Sequence, residues 1–186
     1  HFTIGAGRVV FQSVEEINRS IKKGDFFKKK AFIEACKRVN KGEKAALHLM
    51  GMISDQGVHS HIHHLFALLE LAKREKAEKV YIHAITDGRD VPERSADKFI
   101  KQILKKISEL GMQKQAKVAS IVGRYFAMDR DSNWHRTQKA YDLYTIGAGV
   151  KENDPLEALK NAYDHGVETD YYIYPVILDE HGVIKD

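Results

Sequence analysis

The sequence predicts an α/β protein with a three-layer α/β/α architecture, in which a largely parallel sheet carries helices on both faces. Three short apolar runs have the length of buried strands, and each precedes a longer run with helical periodicity. Strands and helices that alternate in this way form a parallel sheet through right-handed crossovers. The three strand runs are AALHLMG at 45–51, VYIHAIT at 80–86 and VASIVG at 118–123.

Two helices are predicted before the first strand. Ser13 and Glu16 have the S-x-x-E spacing of a capping box, which predicts a helix that ends at Gly24. A second helix is predicted through KKKAFIEACKRVNK, with its end at Gly42. Cys36 is the single cysteine and falls on a face of this helix, so we expect a buried structural thiol rather than a nucleophile.

Each predicted strand is followed by an amphipathic helix. These helices read HIHHLFALLELAKREK, SADKFIKQILKKISELG and WHRTQKAYDLYTIG. The C-terminal part is less regular. PLEALKNAYDHG predicts a helix with Pro155 in its first turn and Gly166 as its stop. YYIYPVIL at 171–178 predicts a strand, and Pro175 within it indicates an edge position or a bulge.

Composition narrows the possible functions. The chain has 186 residues, 43% hydrophobic and 30% charged, which is typical of one large globular domain. Its net charge of +4 is spread along helical faces, so we expect solvated helix surface and no nucleic-acid partner. No apolar run approaches the roughly 18–20 residues that span a bilayer, so we expect no membrane association. The single cysteine and the missing signal-peptide pattern favour a cytoplasmic protein, which we expect to be a monomer.

Charged side chains follow all three predicted strands. They lie in SDQGVHSH (54–61), TDGRDVPE (86–93) and GRYFAMDRD (123–131). Because the carboxyl ends of parallel strands meet at one edge of a sheet, we expect these loops to surround one crevice. A guanidinium group matches a carboxylate or phosphate with two parallel hydrogen bonds, so the loops predict a site for a small, highly charged anion. The side chains brought there are His59, His61, Arg89, Asp90, Arg124 and Arg130.

The residues alone leave structural alternatives open. Arg89 and Asp90 either bind a ligand or staple a turn. Arg124 directly follows a strand, where side chains face the crevice, whereas Arg130 lies between Asp129 and Asp131. These two aspartates are candidates for simple surface ion pairs, which contribute about 0–1 kcal/mol each.

The histidines suggest a second hypothesis, a metal site. His59, His61, His63 and His64 place four of the ten histidines in HSHIHH, at helical spacings that suit a metal site. No cysteine or H-E-x-x-H pattern accompanies them, and helix N-termini favour anions. We therefore expect no metal in this chain, and favour one histidine at the helix start that hydrogen-bonds an anion or moves a proton. A metal-dependent hydrolase built on this cluster stays an alternative.

The same segments resemble the 2,3-bisphosphoglycerate-independent phosphoglycerate mutases. The similarity is carried, in order, by LHLMGMISDQGVHSHIHHLFALLELAK, VYIHAITDGRDVPERSA and SIVGRYFAMDRDSNWHRTQKAYD, with IGAGRVVFQS resembling the segment before them. The resemblance extends from the first residues to about Asp186. Gln56 departs from the family pattern SDGGVHSH, in which a small residue usually stands at this position.

The resemblance implies a domain organisation. Residues 13–186 are expected to form the substrate-binding (phosphotransferase) domain, and 1–12 to lead in from a missing domain similar to alkaline phosphatase. That missing domain carries two manganese ions (Mn²⁺) and a serine that is transiently phosphorylated. No cofactor is therefore expected in this fragment.

The resemblance also implies a reaction, the interconversion of 3-phosphoglycerate and 2-phosphoglycerate in glycolysis and gluconeogenesis. Asp90 and His59 are candidates for proton transfer to and from the substrate hydroxyls. The fragment is expected to bind substrate weakly and to be inactive, and a stand-alone binding module for small phosphorylated acids is the alternative. The implied substrate-binding residues are His59, Arg89, Asp90, Arg124 and Arg130.

Overall fold

A five-stranded sheet lies at the centre of the structure, a computed structural model that describes residues 4–5, 7, 12–42 and 45–185. The strands are β1 (Leu47–Met52), β2 (Val80–Thr86), β3 (Ala116–Gly123), β4 (Val150–Lys151) and β5 (Val176–Ile177). They are arranged in the order β1-β2-β3-β5-β4. β1, β2 and β3 are parallel, and so are β4 and β5, whereas β5 is antiparallel to β3. The predicted α/β class with a largely parallel sheet is confirmed.

Helices precede, connect and follow these strands. They are α1 (Ser13–Lys23), α2 (Lys30–Val39), α3 (Ile62–Arg74), α4 (Ala96–Glu109), α5 (Arg124–Ala127), α6 (Trp134–Ile146) and α7 (Pro155–Asp164). Short 3-10 turns lie at Phe26–Lys28, Asp170–Tyr172 and Glu180–Gly182. The predicted lead-in segment 1–12 lies largely outside the described residues. No helix in the described part of the chain has the length and apolarity needed to cross a membrane.

Two apolar clusters cover opposite faces of the sheet. The larger one joins α2, α3, α4 and α7 to residues such as Ile82 and Ala84 of β2. The smaller one joins α5 and α6 to Ile85 of β2 and Val122 of β3. Because successive strand residues point to opposite faces, this alternation places helices on both sides of the sheet, which confirms the three layers. Cys36 is buried in the larger cluster, as predicted.

The boundaries of the first two helices differ from the prediction. Ser13 is itself helical and Gln12 occupies the N-cap position without a side-chain bond, so the predicted capping box is wrong. Gly24 ends α1 in the left-handed conformation (φ 80°), as expected. α2 ends at Val39, before Gly42. The side chain of Asn40, at the C-cap position, bonds the backbone of Glu75 and Glu78 in the loop between α3 and β2.

The C-terminal strand also differs from the prediction. Only Val176–Ile177 are extended, and residues 170–172 form a 3-10 turn instead. This strand lies between β3 and β4, so its predicted edge position is wrong. Pro175 precedes the strand and contributes only its carbonyl, which accepts the backbone N–H of Val150 at 2.9 Å. The missing N–H of proline therefore leaves no gap in the ladder.

Two glycines allow the C-terminal segment to lie directly behind the loops that follow β2 and β3. Gly88 is left-handed (φ 62°), and a Cβ atom there would lie 2.6 Å from the backbone nitrogen of Tyr171. A Cβ atom on Gly123 would collide with the carbonyl of Tyr171. The backbone N–H of Gly123 donates to Ile173 at 2.7 Å. Both positions require a residue without a side chain for steric reasons.

We predict that Gly123→Ala lowers the free energy of unfolding by about 1–3 kcal/mol, because the added methyl group displaces tightly packed backbone. Gly51→Ala is the matched control, since nothing lies within 4 Å of a Cβ atom at that strand position. Its free energy of unfolding should change by less than about 1 kcal/mol. Urea denaturation of both variants checks this, and equal effects would contradict it.

Candidate functional site

The loops that follow β1, β2 and β3 surround one polar cavity of about 310 Å³. All five residues that the sequence predicted to bind substrate line it, so the predicted convergence of these loops is confirmed. His61 does not line this cavity and is instead the N-cap of α3, where its Nδ1 accepts the backbone N–H of His63 at 3.2 Å. The lining residues are His59, Arg89, Asp90, Arg124, Tyr125, Met128, Asp129, Arg130, Asp131 and Tyr171.

Asp87 organises the loop that follows β2. Its Oδ1 accepts the backbone N–H groups of Arg89 at 3.2 Å and Asp90 at 3.1 Å, which closes the turn around Gly88. The same oxygen accepts Nη1 of Arg124 at 2.6 Å. Burial alone would raise the pKa of Asp87, but the bonds from Asp90 N–H and Arg124 outweigh it and lower the pKa. Asp87 is therefore a buried, ionised anchor.

Arg124 joins the loops that follow β2 and β3. Its Nη1 donates to Oδ1 of Asp87 and, at 2.7 Å, to Oδ2 of Asp90. The side chain is only 8% exposed. Burial alone would lower the pKa of Arg124, but the two carboxylates raise it, so the guanidinium group keeps its charge. The structure thus contains an arginine–aspartate staple, but between two loops rather than within the loop of Arg89 and Asp90.

Arg89 and Arg130 differ from Arg124 in their surroundings. Both are exposed and both line the cavity. Within the described part of the chain, neither guanidinium group has an acidic side chain within ion-pair distance. The sequence left Asp129 and Asp131 as candidate partners of Arg130, and the structure pairs Asp129 with Arg136 instead. The cavity therefore presents two guanidinium groups that are available to an anion.

Asp129 holds the loop that carries Arg130. Its carboxylate accepts the backbone N–H of Asn133 at 2.7 Å, at the start of α6, and the Nη1 group of Arg136 at 3.2 Å. The Asp129 side chain is 3% exposed, so the expectation of a surface partner is wrong for this residue. Arg136 also stacks on Tyr125, with 3.9 Å between its guanidinium carbon and the ring centroid.

His59 lies beside the paired aspartate. Its Nε2 is 3.9 Å from Oδ2 of Asp90, the oxygen that also accepts Arg124. The imidazole and the carboxylate therefore share one wall of the cavity, where both can reach a ligand hydroxyl group.

Sequence reasoning missed Tyr125 and Tyr171, which also line the cavity. Tyr125 lies within GRYFAMDRD, but the prediction rested on charged residues, and an uncharged aromatic residue between two arginines gave no signal. Tyr171 comes from the segment after α7, far from the three loops in sequence. No local signal links it to them, because its place depends on the return of the chain behind Gly88 and Gly123.

The rings of His63 and His64 lie close to that of His61, with centroids 4.7 and 5.9 Å away. In the described ranges, no group of three or more His, Cys, Asp and Glu side chains is placed to hold a metal ion. His64 bonds Asn18 of α1 at 2.8 Å, while His61 caps α3. Elsewhere, His83 is buried in the core and its Nδ1 lies 2.7 Å from the hydroxyl of Ser120. Burial lowers the pKa of His83 to about 4, so it is neutral at physiological pH.

Comparison with known proteins gives consistent matches. Residues 17–186 match the family described as BPG-independent PGAM N-terminus (iPGM_N). A 2,3-bisphosphoglycerate-independent phosphoglycerate mutase from Moorella thermoacetica is 44% identical over 182 residues, which is 98% of this chain and 34% of that protein. One from Clostridium perfringens is 43% identical over 182 residues, 98% of this chain and 35% of that protein.

The fold also matches a solved structure. A crystal structure of Leishmania mexicana phosphoglycerate mutase, at low cobalt concentration, aligns with a TM-score of 0.87 and 28% sequence identity. The alignment covers 97% of this chain and 34% of that one. The chain therefore spans about a third of the length of the relatives it matches.

We predict that Arg124→Leu lowers the free energy of unfolding at pH 7 by about 3–5 kcal/mol, because it leaves the buried Asp87 carboxylate without its cation. Arg130→Leu removes an exposed arginine from the same cavity and should change stability by less than about 0.5 kcal/mol. Denaturant unfolding measures both. A small loss for Arg124→Leu would mean that the ion pair does not support the fold.

The lowered pKa of Asp87 predicts a pH dependence. A carboxyl group whose pKa is lower in the folded state stabilises the fold above its ordinary pKa of 3.8 and loses that effect as the pH falls through the lower, folded value. The stability gap between the wild type and Arg124→Leu should therefore narrow as the pH falls below 3.8. A gap that stays constant with pH would contradict this assignment, and unfolding curves over a pH series decide it.

Proposed function

This chain belongs to the BPG-independent PGAM N-terminus family, and we propose that its charged cavity holds phosphoglycerate in a 2,3-bisphosphoglycerate-independent phosphoglycerate mutase. The observation that carries this proposal is the pair of exposed guanidinium groups, Arg89 and Arg130, at a cavity in which Arg124 is already neutralised. Phosphoglycerate carries a phosphate and a carboxylate, and each suits a planar guanidinium fork.

In this proposal the cavity retains and orients the glycerate between two phosphoryl transfers. The substrate phosphoryl group first moves to a serine outside this chain, and the bond from phosphorus to the substrate oxygen breaks. The glycerate turns while Arg89 and Arg130 hold it, and its other hydroxyl then receives the phosphoryl group. Such transfer depends on positioning and on neutralised charge.

Proton transfer in this scheme belongs to His59 and Asp90. The substrate oxygen that loses the phosphoryl group gains a proton, and the hydroxyl that receives the group gives one up. His59 and Asp90 lie together in the cavity wall, and Arg124 holds the Asp90 carboxylate at 2.7 Å. A fixed carboxylate beside an imidazole can accept and return that proton without a change of position.

We assign the phosphoserine and the two manganese ions to the part of the protein outside this chain. The described residues do not fit a manganese pair, because they hold no group of three metal-binding side chains. The partner of the cavity is then the remaining part of the same polypeptide, which resembles alkaline phosphatase. The proposal places the reaction in glycolysis and gluconeogenesis, in the cytoplasm, with the protein as a monomer.

We predict that 3-phosphoglycerate binds this chain weakly and that Arg89→Ala and Arg130→Ala each weaken binding by about 10–100-fold, because each removes a charge-assisted contact. Isothermal titration at low salt measures the dissociation constants. Arg38→Ala is the matched control, since it removes the same charge from the exposed face of α2 and should leave binding unchanged. An equal loss of affinity in all three variants would mean that only the net charge matters, and it would contradict the proposed binding site.

We also predict that this chain alone shows no mutase activity with 3-phosphoglycerate and manganese, because the serine nucleophile is supplied by the missing part. The complete protein should be active, and Asp90→Asn should lower its kcat by about 10²–10⁴-fold if Asp90 transfers the proton. A coupled assay for 2-phosphoglycerate measures both. Activity of the isolated chain would contradict the proposal that the serine nucleophile lies outside it.

A further inference from the structure

The segment 169–173, which follows α7, lies behind the two loops that carry the arginines. Tyr171 packs against Gly88, in the loop that follows β2, and against Gly123, the last residue of β3. The contacts of this segment reach the site, and Tyr171 also lines the cavity.

Asp170 is the centre of these contacts and is 1% exposed. Its Oδ2 accepts the backbone N–H groups of Ser95 at 2.7 Å and Ala96 at 2.8 Å. Its Oδ1 accepts the hydroxyl of Tyr163 on α7. A carboxylate that comes from 74 residues away therefore takes the free N–H groups at the start of α4, where the helix dipole also favours a negative charge.

The backbone of Asp170 holds the other side of the same loop. Its carbonyl accepts the hydroxyl of Thr86 at 2.6 Å, and its N–H donates to the backbone carbonyl of Glu93 at 2.8 Å. Thr86 is the residue directly before Asp87, and Glu93 lies just before α4. Asp170 is thus bonded to both ends of the loop that presents Arg89 and Asp90.

We propose that Asp170 is a positioning residue for the anion site. It clamps residues 86–96 between the end of β2 and the start of α4, so that Asp87 can orient the Arg89 and Asp90 backbone and receive Arg124. The effect on substrate rests on the proposed function, whereas the effect on the loop does not. Asp170 touches no substrate in this role and acts through the geometry of the loop.

A helix cap normally comes from the residue just before the helix, but the Ser95 side chain bonds the carbonyl of Pro92 instead of capping α4. Asp170 caps α4 instead, and its backbone carbonyl also accepts the hydroxyl of Thr86. Stability of α4 and orientation of the arginine loop are therefore coupled through one buried carboxylate.

The test compares Asp170→Ala with Asp154→Ala, because alanine removes the capping oxygen that asparagine would keep. Asp154 is the matched control because it also caps a helix, accepting the backbone N–H groups of Leu156 and Glu157 at the start of α7. Amide hydrogen exchange is measured in this chain without ligand, so its result does not depend on the proposed function. We expect exchange at Arg89 and Asp90 to accelerate by about tenfold or more in Asp170→Ala and to stay unchanged in Asp154→Ala.

Tyr163→Phe is the second variant, which removes only the hydroxyl bonded to Oδ1 of Asp170. We expect a smaller acceleration at the same two amides, and this variant answers the question if Asp170→Ala does not fold. Unchanged exchange at Arg89 and Asp90 in the folded variants, or equal acceleration in Asp154→Ala, overturns the positioning role.

Titration of 3-phosphoglycerate separates the two hypotheses. Wild-type binding that weakens by about tenfold in Asp170→Ala, with Asp154→Ala unchanged, supports the clamp as a determinant of affinity. Accelerated exchange without any wild-type binding would refute binding of substrate by this chain while leaving the clamp standing. Wild-type binding with unchanged affinity in Asp170→Ala would refute the effect of the clamp on substrate.

Discussion

The ion pair between Asp87 and Arg124 is the interaction on which the rest of the site depends. It joins the ends of the neighbouring parallel strands β2 and β3, and the Asp87 side chain is fully buried. Taking both charges out of water is costly, and only a close pair with further hydrogen bonds offsets that cost. Asp87 meets this requirement through Oδ1, which also accepts the backbone N–H groups of Arg89 and Asp90, so the bonds that stabilise the buried charge also shape the loop.

The arginines of the cavity have two different roles, which follow from how deeply each one is buried. Arg124 lies deep, where its charge is used by Asp87 and Asp90, and it acts as part of the wall. Arg89 and Arg130 are exposed at the same cavity and keep their charge for a ligand. Each loop is held by an aspartate, Asp87 in one case and Asp129 in the other. A fixed backbone under exposed cationic side chains suits an anion that has to turn without leaving.

Support for this cavity comes largely from the C-terminal part of the chain. Tyr171 packs on Gly88 and Gly123, and Asp170 ties both ends of the arginine loop. The geometry of the site is therefore shared between the loops that carry the charges and a later segment that carries none of the predicted ligands. The absence of side chains at the two glycines is what makes this close backbone approach possible.

The sequence by itself determined the central α/β pattern, because continuous apolar strands and amphipathic helices are local signals. Val80–Thr86 was predicted with its observed bounds, and the convergence of His59, Asp90 and Arg130 followed from the common direction of parallel strands. The ligand roles of these residues stay predictions. Tertiary structure alone decided that Val176–Ile177 is an internal strand, that the Asp129 side chain is buried, that Tyr171 lines the cavity and that Asp170 bonds the start of α4. These features depend on contacts between residues far apart in the chain, and no local spacing of residue types records which distant backbone will supply a hydrogen bond.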